Sequence, residues 1–256
     1  MSELSIRQFP CLSDNYGFLI HDPASGETAT IDTPDAEHIL AEAKAAGWTI
    51  TQIWNTHHHF DHAGGNAAIK AATGARIVAP SYERSRIPGI DLAVSEGDSV
   101  WLGNVEAKVM FTPGHTSGHI VYSLPGENIA FVGDTMFALG CGRLFEGTPQ
   151  QMWASLSRLA ALPDETVIYC AHEYTAANAR FALSIDPDNG ALQTYAAGVY
   201  AKRARGEATV PTTVAAEKAA NPFVRAADPV IRARLDLAHA ADAEVFAEIR
   251  RRKDAF

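Results

Sequence analysis

Between Thr56 and Gly65 the sequence reads THHHFDHAGG, with four histidines and an aspartate inside positions 57–62. Imidazole nitrogens bind zinc, iron and related ions, and a carboxylate adds a hard anionic oxygen. A solvated loop needs no such crowding. In extended backbone, alternate side chains face the same way. His57 and His59 can therefore converge on one ion while His58 points elsewhere. Asp61 and His62 follow as the chain turns, and Gly64-Gly65 lets it turn sharply into a helix. One ion needs three or four ligands, so His57, His59, Asp61 and His62 are more than a single ion requires.

Three further candidates stand at the ends of strand-like stretches: His115 in FTPGHTSGH, Asp134 in FVGDTMF and His172 in YCAHEY. Alone, each reads as an ordinary strand-end or turn residue. Together with the first cluster they make seven ligands, which suits two metals. One ion would take His57, His59 and His115, and the other Asp61, His62 and His172, with Asp134 bridging. Asp61 and Asp134 are then the carboxylates at the catalytic centre. Two metals about 3.5–4 Å apart can hold a hydroxide between them, since metal lowers the pKa of water from 15.7 to about 7. The expected cofactors are two divalent ions per chain, zinc first, with iron or manganese also compatible with the ligands. Asp32, closing the strand-like ATIDT, could orient a ligating histidine or simply cap its strand.

Positioning such a set requires several strand ends. Up to about residue 173 the chain alternates strand-like runs (LSIRQF, YGFLIH, TATIDT, ITQIWNT, ARIVAP, DSVWLG, VEAKVMF, HIVYSLPG, NIAFVGD, TVIYCAHEY) with helix-like ones (DAEHILAEAKAAG, GGNAAIKAATG, PQQMWASLSRLAALP). From about Tyr174 the texture becomes helical, with TAANARFALSID, ALQTYAAGVYAKRARGE, DPVIRARLDLA and DAEVFAEIRRRK separated by proline-rich breaks. The expectation is an α/β layered domain over 1–173, which carries the candidate ligands, and a helical domain over 174–256, to which the family resemblance given below adds the role of binding substrate.

The 256 residues carry 21 basic and 30 acidic side chains, a formal charge of −9. That opposes nucleic-acid or anionic-membrane binding. No apolar run approaches the length of a membrane span. The opening MSELSIRQFPCL lacks a basic segment followed by an apolar one, so no signal peptide is expected. Cys11, Cys141 and Cys170 are scattered, form no CxxC pair and fit a reducing cytoplasm. Cys141 lies between Gly140 and Gly142, a close-turn setting rather than that of a nucleophile. Nothing points to an obligate protein partner.

HHHFDH fits the HxHxDH pattern of the metallo-β-lactamase superfamily, with His115, Asp134 and His172 following in that superfamily's order. Within it the chain closely resembles the hydroxyacylglutathione hydrolase (glyoxalase II) family. DNYGFLI, THHHFDHAGGN, TPGHTSGH, GDTMFALGCGRLFEGTP, AHEYTAAN, PTTVAAEKAANPFVR and RRRKDAF all look like that family's blocks. The resemblance implies an αββα metallo-β-lactamase-type sandwich followed by a C-terminal helical domain. It also implies hydrolysis of S-D-lactoylglutathione, an S-(2-hydroxyacyl)glutathione, to D-lactate and glutathione by a metal-bridging hydroxide, as in methylglyoxal detoxification. Mapped residue by residue, it assigns glutathione binding to Arg143, Tyr174, Arg250 and Lys253. Many members have Lys-x-Tyr where this chain has Arg143-Leu144-Phe145, and Phe145 has no hydroxyl to donate. A single-iron dioxygenase of the same superfamily would use fewer ligands than the seven found.

Overall fold

A computed structural model describes residues 4–256. The chain divides into two compact units, one running up to Phe111 and including Gly118–Gly133, the other made of Thr112–Ser117 and Asp134–Phe256.

In the first unit, β1 (Ser5–Cys11), β2 (Asn15–Asp22) and β3 (Glu27–Ile31) are antiparallel neighbours. The chain then crosses over through α1 (Ala36–Ala46) to β4 (Gln52–Trp54), parallel to β3. A short α2 (Phe60–Ala63) and α3 (Asn66–Thr73) lead to β5 (Arg76–Pro80) and then β6 (Leu92–Val94), both parallel additions. Parallel neighbours need such crossovers, which explains the alternation of helix and strand. α1 starts where the Asp35 side chain accepts the His38 amide and stops at Gly47 in the left-handed conformation. Ile39 and Ala43 of α1 and Ile69 of α3 pack on Leu19, Ile53 and Ile77. Complete burial of a side chain such as Ile39 contributes about 1.5–3 kcal/mol.

The opposite sheet face is set by the two-residue period. Four antiparallel strands form the second layer: β7 (Ser99–Leu102), β8 (Val105–Phe111), β9 (Ile120–Leu124) and β10 (Ile129–Gly133). Phe18 meets Phe131 with ring centroids 5.6 Å apart, and Trp54 meets Tyr122 at 5.2 Å. Thus Leu19 and Ile53 face the helices while their neighbours Phe18 and Trp54 face the second sheet.

The second unit begins with a two-by-two-residue hairpin, β11 (Met136–Phe137) and β12 (Gly140–Cys141). α4 (Pro149–Ala160) opens with a capping box in which Thr148 and Gln151 satisfy each other's backbone amides. β13 (Val167–Cys170) pairs with β14 (Thr212–Thr213). The helices are α5 (Thr175–Ile185), α6 (Gly190–Ala204), α7 (Val214–Ala220), α8 (Pro229–Arg234) and α9 (Asp242–Asp254). Their cores combine small residues (Ala179, Ala182, Ala196, Ala220) around Leu139 and Leu192 with a chain of aromatics, Phe181–Phe223–Phe246–Trp153. The strongly patterned runs appear as expected. The sequence reading did not include α2, β6, the β11–β12 hairpin, β14 or α7, the longest of which has seven residues.

Candidate metal centre

In the first unit the candidate ligands lie on the loop from Asn55 to His62. His57 and His62 are buried, whereas His59 and Asp61 reach partway to the surface. Asp32, held at φ +57° at the end of β3, organises the buried pair. Its Oδ1 accepts the Thr56 amide at 2.7 Å. Its Oδ2 accepts the Thr56 hydroxyl at 2.8 Å and lies 2.8 Å from His62 Nδ1. The His62 proton therefore belongs on Nδ1, which places the ring's lone pair on Nε2. His57 follows the same logic. Thr56 Oγ1 donates to Asp32, so it accepts from His57 Nδ1 at 3.0 Å and leaves His57 Nε2 as the lone-pair nitrogen. That Nε2 sits 3.0 Å from His59 Nδ1. Two nitrogens bound tetrahedrally to one zinc at 2.0–2.1 Å would be roughly 3.3 Å apart. His62 Nε2 stands 3.4 Å from Asp61 Oδ2.

His58 falls in the loop after β4, and its imidazole pairs with a carboxylate from further along the chain. Its Nδ1 is 2.8 Å from Oε2 of the buried Glu83, whose Oε1 accepts the Gly118 amide. Behind the loop, Asn55 donates to the His62 carbonyl at 2.9 Å and exchanges amide hydrogen bonds with Asn66. Gly65 is required by close approach, because a Cβ there would sit 2.7 Å from the Thr33 carbonyl oxygen.

In the second unit the candidate ligands are His115, Asp134 and His172, all buried. His115 Nδ1 donates to the Arg143 carbonyl at 2.8 Å, so its Nε2 carries the lone pair. Asp134 turns one oxygen to each imidazole: Oδ2 is 3.3 Å from His115 Nε2, and Oδ1 is 3.4 Å from His172 Nε2. His172 is stacked on Tyr174, centroids 4.8 Å apart and rings parallel to within 1°. A Cβ on Gly142 would collide with the Asp134 carbonyl oxygen and press on the His115 ring.

Around this trio are the candidate substrate contacts. Arg143 is well exposed, with Nε 3.5 Å from Asp254 Oδ1. Arg250 is buried. It donates to the Cys141 carbonyl at 3.1 Å and to Asp254 through Nε and Nη2, and it lies over the Phe223 ring. Lys253 sits over Phe181 and Phe256 and donates to the Ala177 carbonyl. Partial burial, with Arg250 and Arg180 nearby, pulls its ammonium below the usual lysine range. Phe145 is exposed, its ring 5.2 Å from that of His115. Burial pushes the Cys141 thiol up to about 11, so it holds no thiolate at neutral pH.

The sequence reading assigned no role to the residues that brace the hairpin between Asp134 and Arg143. Glu217 Oε2 accepts the Leu139 amide at 2.9 Å. Asn221 donates to the carbonyls of Gly140 and Phe137, and Asn178 to that of Ala138. The available signal was Glu217 within an alanine-rich helix and Asn221 four residues on, just past its end.

This architecture and its histidine–aspartate clusters define a class: residues 17–172 match the family model described as the metallo-beta-lactamase superfamily. His and Asp clusters on that fold bind divalent metal. Residues 173–256 match the model described as the hydroxyacylglutathione hydrolase C-terminus. The chain is 75% identical over its full length, and that of the relative, to a hydroxyacylglutathione hydrolase of Maricaulis maris. It is 59% identical over 255 residues, 99% of this chain and 100% of the relative, to one from Erythrobacter litoralis. Among solved structures, ETHE1 from Myxococcus xanthus superposes with a TM-score of 0.70 at 28% identity, over 96% of this chain and 90% of that one. The chain belongs to the hydroxyacylglutathione hydrolase family, enzymes that act as metal-dependent hydrolases of glutathione thioesters.

Proposed function

We propose that the enzyme hydrolyses S-D-lactoylglutathione, or closely related S-(2-hydroxyacyl)glutathiones, to the 2-hydroxy acid and glutathione, the second step of methylglyoxal detoxification. It does so with two divalent ions, zinc by preference. His57, His59 and His115 would hold one, Asp61, His62 and His172 would hold the other, and Asp134 would serve both. The observation that carries this reading is Asp134, whose two carboxylate oxygens each face a different histidine Nε2. A carboxylate so disposed suits a ligand common to two ions.

When bound, the ions supply a nucleophile from water near neutral pH and stabilise charge developing on the thioester carbonyl oxygen. The protein's part is orientation. Asp32 and the Arg143 carbonyl fix the Nδ1 protons of His62 and His115, so that each Nε2 points inward. The leaving thiol has a free pKa near 8.5 and departs as thiolate without a strong acid, which fits the absence of any demand on Cys141. Arg143, Tyr174, Arg250 and Lys253 grip the glutathione moiety, with Arg143 supplying what a lysine supplies in many relatives and Phe145 supplying apolar contact only.

No helix among the described residues is long and apolar enough to cross a membrane. The three cysteines are buried and unbridged, which supports a cytoplasmic enzyme. The test is hydrolysis of lactoylglutathione with and without a chelator, alongside metal quantification. Two equivalents per chain and chelator-sensitive turnover are expected. One equivalent, or turnover indifferent to metal, overturns the reading.

A further inference from the structure

Asp254 stands at the last position of α9, where helix electrostatics disfavour it. An anion opposes the negative end of the helix dipole. An acid four residues after an arginine is also the weaker order for an i, i+4 pair. The three residues before it, Arg251, Arg252 and Lys253, are the cations that end would select. What accounts for Asp254 is its contacts. Oδ1 accepts from Arg250 Nη2 at 2.7 Å and Nε at 3.1 Å, and lies 3.5 Å from Arg143 Nε. One carboxylate oxygen thus serves both arginines assigned to the substrate. The Asp254 side chain remains 39% exposed and that of Arg143 60% exposed, so an incoming group can reach both.

We propose that Asp254 is an internal substitute for a substrate carboxylate and sets the specificity of the pocket. It occupies Arg143 and Arg250 until a glutathione carboxylate exchanges with it. The inference rests on the reading of those arginines as glutathione contacts. Arg250 need not move during the exchange, because its Nη1 stays on the Cys141 carbonyl and its guanidinium stays over Phe223. A tethered carboxylate competes at high effective concentration. Small free carboxylates therefore lose to it, while a ligand that also engages Lys253 and Tyr174 prevails. Exchanging one ion pair for another at the two arginines leaves the number of pairs there unchanged, so that part of binding adds little salt dependence to that of the Lys253 contact.

The test is Asp254→Asn, which keeps the shape and one acceptor oxygen but removes the charge. Loss of a competing, partly exposed ion pair should lower KM for lactoylglutathione about three- to tenfold, with kcat changing less than KM. KM for a thioester without carboxylates should not move. Acetate should become a competitive inhibitor of the variant. Asp254→Glu should stay close to the parent. Inhibition by glutathione should weaken with rising ionic strength less steeply in the parent enzyme than in Asp254→Asn. An unchanged or raised KM in Asp254→Asn overturns the proposal, as does a salt dependence in the parent as steep as in the variant. Failure of the underlying reading looks different: lactoylglutathione is then not hydrolysed, or Arg143→Ala leaves its KM unaltered.

Discussion

His62 Nδ1 lies 2.8 Å from Asp32 Oδ2, and the same oxygen receives the hydroxyl of Thr56 that orients His57. One carboxylate therefore fixes the tautomers of two histidines assigned to different ions. Asp32→Ala should weaken both metals, by about ten- to a hundredfold in affinity. Competition against a graded chelator measures it. Weakening of one ion alone would show that the Thr56 relay to His57 contributes nothing.

Asp134→Ala removes the proposed shared ligand. Metal content should fall below two equivalents and turnover by orders of magnitude. Turnover near that of the parent enzyme would refute the two-metal arrangement.

His58→Ala should retain both metals, because its imidazole is engaged with Glu83 rather than with the ligand cluster. It should nonetheless lower stability by about 1–3 kcal/mol, since buried Glu83 loses a partner. Metal analysis and denaturant unfolding separate the two effects.

Truncating Lys253 to Ala should raise KM with kcat nearly intact, because a glutathione carboxylate keeps its charge throughout hydrolysis and its contact favours ground and transition states alike. A hydrogen bond to a charged group is worth roughly 1.5–3 kcal/mol, which corresponds to a KM rise of about tenfold to a hundredfold or slightly more. Arg250→Ala should show the same split together with lower thermal stability, since Arg250 also supports the Cys141 carbonyl. A fall in kcat at constant KM would remove either residue from glutathione binding.

Glu217→Gln should destabilise the protein by about 1–3 kcal/mol. Its carboxylate faces donors from Leu139, Asn221, Thr212 and Tyr195, and an amide nitrogen would confront one or more of them. Burial raises the Glu217 pKa. A carboxyl with a raised folded-state pKa binds protons more tightly folded than unfolded, so its contribution to stability declines as pH rises from the unfolded value through the folded one. Urea unfolding across that range checks the sign. Stability that rises there in the parent and not in Glu217→Gln would contradict it.

The ligand candidates were legible because metal chemistry concentrates rare residues: His57, His59, Asp61 and His62 stand within six positions, and strand alternation separated His58 from its neighbours. The long, periodic elements were legible for the same kind of reason, as α1 and β2 illustrate. The supports were not. Glu83 reaches His58 across 25 positions, and Glu217 reaches Leu139 across 78. An isolated buried glutamate looks, in sequence, like any surface one. The two-residue strands β11 and β12 pair with each other and are braced by Glu217, Asn221 and Asn178 from far along the chain, so no local pattern announces them. Asp32 carried a half-signal: a strand-end aspartate was visible, but its reach to Thr56 and His62 depends on backbone close approach.

The clamp of Glu217, Asn221 and Asn178 on the 136–141 hairpin has a consequence for how such an enzyme can be inherited. The hairpin follows Asp134 and precedes Arg143, yet its amides and carbonyls are satisfied from α5, α7 and the residue just past α7. Residues 134–148 and the helices after 173 must therefore be transmitted together. A gene fusion joining a foreign helical segment at residue 173 would leave Leu139, Gly140 and Phe137 with polar backbone groups unmatched. A crossover placed just before Asp134 would carry the hairpin and its supports across as one heritable block.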